Sequence, residues 1–239
     1  MASSTGTDPR EAIQSDLRRA SNYNGWIADM AAAHVGDRVV DAGSGAGNLA
    51  ALMLPRSAVL AVEVWRPFVD ALRERFAGEP AVAVLEFDLT DPALTEALRA
   101  HHPDSVMCSN VLEHVEDDRS ALRNLAAALP PGSPFFLLVP AFPVLYGVHD
   151  RADHHSRRYT KRSLARTVEG LPLAIERQRY VNLPGFFAWF LLGRVLRRQL
   201  GGGEIGFYDR LIPAIRALES RVPAPFGQSL VALMRTTGA

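Results

Sequence analysis

The sequence is short of cysteine, of lysine and of net charge. Cys108 is the one cysteine among 239 residues, which excludes an intrachain disulfide and a cysteine-based metal cluster. Lys161 is the one lysine, so 25 of the 26 basic residues are arginine, and 26 acidic residues balance them. This balance argues against a protein that binds nucleic acid mainly by counterion release. The arginine- and alanine-rich composition is typical of a GC-rich genome, so an arginine becomes a ligand candidate only through its position.

Long apolar runs are also absent. The run at 186–192 comes nearest to a membrane span but falls well short of the roughly 18 residues that a span needs. The first twenty residues lack the apolar segment of a secretory signal. With 48% hydrophobic and 22% charged residues, the chain is expected to fold as a globule. We expect a cytoplasmic location and no stable membrane insertion.

Short apolar runs alternate with helical patterns from residue 38 onward. Strands are predicted at 38–41, 58–62, 81–85, 105–109, 135–139, 173–180 and 229–235. Helices are predicted at 48–54, 67–76, 92–100, 119–129 and 161–170. Before them, helical spacing from residue 11 to 33 is interrupted by a predicted break at 22–25. The alternation predicts an α/β protein with a doubly wound, mostly parallel sheet.

The first strand runs directly into a glycine-rich loop. Gly43, Gly45 and Gly47 lie between the strand and a predicted helix that starts at Asn48. A strand, a glycine loop and a helix in this order are typical of a nucleotide-cofactor site, because the helix start offers free N–H groups. The dinucleotide fingerprint needs glycine or alanine at position 48. Asn48 therefore disfavours a nicotinamide-dependent oxidoreductase, which stays the alternative.

Three acidic residues stand where predicted parallel strands end. Asp41 precedes the glycines, where a carboxylate would repel a pyrophosphate but suits a cationic amino group. Glu63 ends the second strand, and its carboxylate can take both hydroxyls of a ribose. Asp88 follows the third strand, where the exocyclic amine of an adenine would lie. The set predicts a ligand that is an adenosine with an amino-acid tail and no phosphate.

Together these segments resemble the motifs of S-adenosylmethionine-dependent methyltransferases of the Rossmann-like class. The similar segments are Val39–Asn48, Ala61–Val64, Glu86–Leu89, Ser109–Val115 and Pro130–Gly132. The resemblance implies S-adenosyl-L-methionine as cofactor and S-adenosyl-L-homocysteine as product. It implies a seven-stranded sheet in which the last strand is antiparallel and follows a helical insert.

The resemblance also implies roles for individual residues. It implies that the backbone at Gly43 and Gly45 lies close to the methionine moiety of the cofactor and that Asn110 contacts the methionine end. It implies that Glu63 binds the ribose hydroxyls. Tyr23 and Trp26 would cover the cofactor as a lid, with ordinary helix packing as the alternative. The cofactor-binding residues that it implies are Tyr23, Asp41, Gly43, Gly45, Glu63, Val64, Asp88, Leu89 and Asn110.

The acceptor is expected beyond the carboxyl ends of the strands. Methyl transfer from a sulfonium is an in-line displacement, so alignment of the reactants contributes more than proton transfer. The segment 140–159 is unusually rich in histidine and arginine. The catalytic candidates are His114, His155 and Tyr159. The substrate-binding candidates are Tyr146, His149, Asp150, Arg151 and Arg158.

Two interpretations of this segment compete. Its histidines and aspartates include ligand types for a divalent metal. Acidic ligands of metal-dependent methyltransferases usually come from separate strand ends, so we predict no metal. The other interpretation is an acceptor-binding loop, because the run resembles a "VPAxPxLYGxxDxxxGHxRRYT" segment of a bacterial methyltransferase subgroup. His154 replaces the usual glycine, and Arg151, Arg157 and Arg158 suggest an anionic or polar acceptor group.

The chain is predicted to be a single methyltransferase domain with four parts. A helical lid spans 1–34, the cofactor-binding core 35–181, an apolar helical insert 182–226, and the last strand 227–239. The insert is expected to cover the acceptor pocket or to form a homodimer contact. Attachment of the insert to a membrane surface is disfavoured.

The predicted function is methyl transfer from S-adenosylmethionine to an O, N or C nucleophile of a small molecule, in bacterial specialised metabolite biosynthesis. The alternatives are the oxidoreductase and a repurposed member of the fold that does not methylate. A nucleic-acid acceptor is disfavoured, because the sequence has no strong basic face and no Asn-Pro-Pro-Tyr motif follows the fourth strand.

Overall fold

The computed structural model describes residues 20–198 and 202–238. Within these residues the strands are β1 Arg38–Ala42, β2 Ala58–Glu63, β3 Val82–Glu86, β4 Ser105–Ser109, β5 Pro134–Pro140, β6 Leu173–Val181 and β7 Ser229–Thr236. The α-helices are α1 Ser21–Ala32, α2 Asn48–Leu52, α3 Arg66–Arg75, α4 Ala93–Arg99, α5 Asp118–Ala127, α6 Val148–Ala152, α7 Lys161–Val168, α8 Leu183–Trp189 and α9 Gly202–Glu219. Residues 11–19 of the helical pattern predicted at 11–33 lie outside the described residues.

The sheet confirms the predicted fold class. Its strand order is β3-β2-β1-β4-β5-β7-β6. Strands β1 to β5 run parallel, while β7 lies antiparallel between β5 and β6. The strand order reverses between β1 and β4, and the chain leaves the carboxyl ends of these two neighbours in opposite directions. A crevice at such a switch point is where open α/β sheets bind their ligands.

Two apolar layers cover the sheet, one on each face. Val40 packs in one layer with Leu122 and Leu137, while its neighbour Val39 packs in the other with Met53. Successive residues of a strand point to opposite faces. Both faces are buried, and this explains why the central strands read as continuous apolar runs.

The helix α1 differs from the prediction at its start. It runs without interruption through 22–25, where the asparagines and glycine predicted a break. Its first N–H groups are satisfied by Asp209 of α9, whose carboxylate accepts from the backbone of Asn22 at 3.1 Å and of Tyr23 at 2.9 Å. A helix start whose N–H groups have acceptors is stabilised. Trp26 is 5% exposed and packs in the core, so the alternative of ordinary helix packing applies to this residue.

The segment 182–226 is helical around the residues that the structure leaves undescribed. Helix α8 continues into a π-helical turn, Phe190–Val195, and α9 follows from Gly202. Arg216 of α9 forms an ion pair with Asp29 of α1. Among the described residues, no helix is long and apolar enough to cross a membrane. The division of the chain at residues 34, 181 and 226 stays a prediction.

Candidate active site

The glycine loop needs its glycines for conformation and for space. Gly43, Gly45 and Gly47 have φ of +70°, +53° and +75°, in the left-handed region that side chains disfavour. A Cβ on Gly43 would lie 2.4 Å from a methyl carbon of Val111. A Cβ on Gly47 would lie 2.8 Å from the ring of Phe76. The loop backbone is therefore pressed against both the segment after β4 and the helix α3.

Asp41 is a buried carboxylate at the carboxyl end of β1. It is 2% exposed, and its Oδ2 atom has no hydrogen-bond partner among the described residues. Burial raises the pKa of Asp41 to about 7. A buried carboxylate with one oxygen left without a partner is stabilised when a cation or a hydrogen-bond donor binds next to it.

Glu63 joins the glycine loop to the end of β2. Its Oε2 atom accepts from the backbone N–H of Gly45 at 2.8 Å. Its Oε1 atom accepts from the N–H groups of Val64 and Trp65, each at 2.9 Å. The side chain is 9% exposed. These bonds set the orientation of a carboxylate at the mouth of the β1–β2 crevice.

The residues expected near an adenine lie around the same edge of the sheet. Val64 is 58% exposed and offers an apolar surface next to Glu63. Asp88 is exposed, and its Oδ1 atom accepts from the N–H and the hydroxyl of Thr90 at 2.8 and 2.7 Å. Leu89 is buried, and its carbonyl accepts from Asn124 of α5 at 3.0 Å. The turn after β3 is thus held by its own side chains and by α5.

A cavity of about 710 Å³ adjoins the carboxyl ends of the strands. Asn110, in the left-handed region with φ +52°, and Tyr23 of α1 lie in its wall. The insert adds Trp189, Leu192 and Tyr208 to the wall. Burial raises the pKa of Tyr23, whose hydroxyl is 3.5 Å from Ser229. The insert therefore bounds the same space that the segment after β4 enters.

One wall of the cavity is a network around His155. Its Nδ1 atom is 3.0 Å from Asp150 Oδ1, and its Nε2 atom is 3.2 Å from Asp153 Oδ2. Burial lowers the pKa of His155, but the hydrogen bonds with the two aspartates outweigh it and the pKa rises to about 9. Arg158 donates to Asp150 through Nε at 2.6 Å and through Nη2 at 3.2 Å. Burial raises the pKa of Asp150, yet the bonds from His155 and Arg158 bring it down to about 2.

Two further titratable groups face this network from the 3₁₀ turn Leu112–His114. Glu113 is fully buried, and burial raises its pKa to about 7. His114 lies edge-on to His155, with ring centroids 4.7 Å apart. Burial and the neighbouring His155 lower the pKa of His114 to about 4. Ligand atoms of Glu113, His114 and His155 all lie within 4.8 Å of one another.

Several predicted acceptor-site residues take other positions. The Tyr159 hydroxyl donates to Asp118 at 2.8 Å in the core, where burial raises its pKa, so it does not reach the cavity. The Tyr146 hydroxyl donates to the carbonyl of His155 at 2.7 Å and supports the loop. Arg151 is exposed and is not part of the cavity wall. His149 does line the cavity, with its ring 4.6 Å from that of Trp189.

Two arginines of the loop are paired with aspartates. Arg158 lines the cavity, but Asp150 balances its charge. Arg157 forms an ion pair with Asp118 at 3.0 Å. The expectation of an anionic or polar acceptor group stays a prediction. His154 takes the left-handed conformation, φ +55°, at the position where the resemblance expects glycine.

The predicted acceptor site omits several residues of the wall, among them Glu113, Asp153 and Trp189. Glu113 directly precedes a candidate histidine in the Ser109–Val115 segment, and that position was its available signal. Asp153 was considered only as a metal-ligand type. Trp189 belongs to the insert that was expected to cover the acceptor pocket or to form a homodimer contact, but periodicity does not tell which face of a helix meets a cavity.

Comparisons with known proteins agree on the type of domain. Residues 40–135 match the family model described as a methyltransferase domain. The chloroplastic ribosomal RNA small subunit methyltransferase of Arabidopsis thaliana is 32% identical over 116 residues, which are 45% of this chain and 34% of that protein. The chain thus spans about a third of this curated relative's length.

Solved structures extend the likeness to most of the chain. An O-methyltransferase family protein from Burkholderia thailandensis aligns with a TM-score of 0.63 at 14% identity, covering 96% of this chain and 60% of that one. A SAM-dependent methyltransferase from Archaeoglobus fulgidus aligns with a TM-score of 0.57 at 15% identity, covering 90% and 93%. At these identities the structures establish the fold alone, and the family model matches residues 40–135. The chain therefore has the Rossmann-like fold of methyltransferases, and its residues 40–135 are similar to a methyltransferase domain.

Proposed function

We propose that this protein transfers a methyl group from S-adenosylmethionine to an O, N or C nucleophile of a small molecule. One observation carries the proposal. A cavity of about 710 Å³ lies against Asn110, in the segment that packs on the glycine loop through Val111. Pockets for small molecules have volumes of roughly 300–1,000 Å³. The cofactor loop and a space of suitable size for an acceptor are therefore neighbours.

The cofactor would be held by backbone and carboxylates. Asp41, with an unpartnered buried oxygen, suits the cofactor's ammonium group. Glu63 suits the ribose hydroxyls, because its carboxylate is already oriented by three backbone N–H groups. Val64 and Leu89 would hold the adenine between apolar surfaces. The glycine loop lets the backbone approach the methionine end.

Methyl transfer would depend mainly on alignment and on exclusion of water. The methyl carbon passes from sulfur to the nucleophile in line, and the electron pair of the broken C–S bond stays on sulfur. Tyr23 and Trp189 both line the space and would help to keep it dry. His155 lines the cavity and stays a catalytic candidate. His114 is outside the lining, lies edge-on to His155 and stays a candidate only through that contact. Tyr159 is not retained, since its hydroxyl is committed to Asp118.

Charge supports a small acceptor over RNA. Four carboxyl groups, from Glu113, Asp153, Glu204 and Asp209, outnumber the cationic Arg158 and His155 in the cavity wall, and an excess of carboxylates disfavours a phosphate backbone. Two of the relatives are named as ribosomal RNA methyltransferases, so RNA is the acceptor against which a small-molecule acceptor has to be tested. A place in specialised metabolism is a finer part of the proposal and has only the composition behind it.

The proposal is tested by binding and turnover together. Calorimetry with S-adenosylhomocysteine and with NADH is followed by incubation with methyl-labelled cofactor and either a small-metabolite pool or small-subunit ribosomal RNA. We expect binding of S-adenosylhomocysteine and label in the metabolite fraction. Binding of NADH alone would favour the oxidoreductase. Cofactor binding without any label would favour a repurposed fold, and label in RNA would overturn the small-molecule acceptor.

A homodimer contact through the insert is a further part of the proposal. The insert exposes large apolar side chains to solvent, and such patches often mark interfaces. They include Phe187, Leu191, Val195, Leu196 and Phe207, each more than half exposed. Sedimentation equilibrium checks this part, and a monomer at all concentrations would contradict it.

A further inference from the structure

We propose that a divalent-metal site made by Glu113, His114 and His155 lies at the edge of the cavity. The sequence interpretation predicted no metal, because the acidic ligands of metal-dependent methyltransferases usually come from separate strand ends, and it weighed only the histidines and aspartates of the loop after β5. The fold brings that loop against the 3₁₀ turn after β4, so ligands about forty positions apart converge. Two imidazoles and one carboxylate then lie close together, with the carboxylate of Asp153 beside His155.

The distances suit one ion with small adjustments. His155 Nε2 is 3.2 Å from Asp153 Oδ2 and 4.0 Å from Glu113 Oε1. His114 Nε2 is 4.0 Å from Asp153 Oδ2. Ligands held about 2.1 Å from a zinc ion lie roughly 3–3.5 Å apart. The ligand atoms of Glu113, His114 and His155 lie within 4.8 Å of one another, so side-chain shifts of about 1 Å bring these three into coordination range.

Glu113 provides an observation independent of this clustering. The side chain is fully buried, and neither carboxylate oxygen has a hydrogen-bond partner among the described residues. A buried carboxylate without donors is costly, and a cation removes that cost. The nearest cationic group, His155, remains 4.0 Å away. The carboxylate is therefore oriented toward the cluster yet is left unsatisfied by it.

His155 is already oriented as a metal-binding histidine is. Its Nδ1 atom bonds to the Asp150 carboxylate, which in turn accepts from Arg158 and from the backbone N–H of Gly147 at 2.8 Å. An ionised Asp150 can only accept, so Nδ1 carries a proton. Nε2 faces Glu113 and Asp153, and a metal ion bound there would replace any proton on this nitrogen. A carboxylate behind a histidine is the usual support of a metal-bound imidazole.

The ligand set also selects the kind of ion. Two imidazoles and one carboxylate suit Zn²⁺, Mn²⁺ or Fe²⁺ and leave a coordination position open, whereas Ca²⁺ and Mg²⁺ favour oxygen ligands alone. If the proposed function holds, the open position of the ion would take a hydroxyl of the acceptor. The bound hydroxyl would lose its proton to solvent, its oxygen would form the new bond to the methyl carbon, and the sulfur would keep the electron pair of the broken bond.

The test measures metal binding in the absence of turnover. Tag-free protein is stripped with EDTA, freed of chelator and titrated with Co²⁺, followed by visible absorption, and with Zn²⁺, followed by calorimetry. The variants are His114→Asn, whose side chain is partly exposed, and Glu113→Gln, which keeps the shape of the buried side chain. His154→Asn is the control, because this exposed neighbour is outside the cluster and asparagine tolerates its φ of +55°.

We expect one Co²⁺ or Zn²⁺ per chain, with affinity at least about tenfold weaker in His114→Asn and Glu113→Gln and unchanged in His154→Asn. Absence of stoichiometric binding, or equal affinity in all four proteins, would overturn the site. S-adenosylhomocysteine is titrated into the same preparations. Cofactor binding without metal binding contradicts the metal site alone, whereas metal binding without cofactor binding contradicts the proposed function alone.

Discussion

The cofactor side and the acceptor side of the cavity are built in different ways. The cofactor side uses backbone: glycines at positive φ, and N–H groups that orient Glu63. The acceptor side uses charged side chains, with Asp150 bonded to both Arg158 and His155. A site built from backbone is sensitive to substitution mainly at its glycines. A side-chain network is sensitive to substitution of any of its partners. Substitutions should therefore separate cofactor affinity from acceptor turnover.

Arg158→Ala should have the largest effect, and on the acceptor side. Removal of one partner from a buried ion pair leaves Asp150 uncompensated, and we expect a loss of about 3–5 kcal/mol in unfolding free energy. Turnover should fall while the folded fraction keeps its affinity for S-adenosylhomocysteine. Denaturant unfolding and calorimetry measure the two quantities. Arg151→Ala, exposed in the same loop, is the control and should change stability by less than about 0.5 kcal/mol. An equal loss of cofactor affinity in Arg158→Ala would place this residue on the cofactor side.

Gly43→Ala should have the next largest effect, on the cofactor side. The new Cβ meets Val111 at 2.4 Å in a left-handed backbone, and we expect a loss of about 2–4 kcal/mol together with weaker cofactor binding. Gly78→Ala is the matched control, because its φ is +83° but a Cβ there has no neighbour within 4 Å. That change should cost only about 1–2 kcal/mol and leave cofactor binding intact. Similar behaviour of the two variants in thermal unfolding would show that contact with Val111 is unimportant.

Glu63→Gln should weaken S-adenosylhomocysteine binding by about 1–3 kcal/mol. The carboxylate has two acceptor oxygens, and both accept from backbone N–H groups of the loop. The amide of glutamine has one acceptor oxygen, so it cannot accept from the loop and from the ribose hydroxyls in the same way. Glu74→Gln, exposed on α3, is the control. Isothermal titration of both variants gives the comparison, and unchanged affinity in Glu63→Gln would refute the ribose assignment.

Asp41 should make cofactor affinity depend on pH, and the expected change is the smallest of those predicted. Its pKa is raised to about 7, and a bound ammonium group favours the ionised carboxylate. Affinity for S-adenosylhomocysteine should therefore rise about tenfold between pH 6 and pH 8, with proton release on binding. Asp41→Asn should abolish this dependence. Calorimetry in buffers of different ionisation enthalpy measures the released proton, and an unchanged pH profile in the variant would exclude Asp41 as its source.

The positions of the proposed cofactor residues followed from the sequence more directly than those of the proposed acceptor residues. Strand ends and glycine loops are local features, so Asp41, Gly43 and Glu63 could be placed at them before the fold was known, while their roles stay predictions. The acceptor candidates depended on which way a loop side chain points. Tyr159 and Tyr146 share the polar character of His155, yet one hydroxyl meets Asp118 in the core and the other a backbone carbonyl. For Trp26 the sequence left a lid and ordinary helix packing open, and this side chain packs in the core.

The sequence by itself determined the alternation of strands and helices, the glycine loop and the acids at the strand ends. These follow from short-range periodicity and from the conformations that glycine allows. Only the tertiary structure decided that Glu113, His114 and His155 converge, that Arg158 is paired with Asp150, and that the insert closes the cavity. The first and the third of these relations join segments far apart in the chain, and the packing of the whole sheet and its covering helices sets their distances. The Arg158–Asp150 pair, eight positions apart, depends on how the loop between them folds.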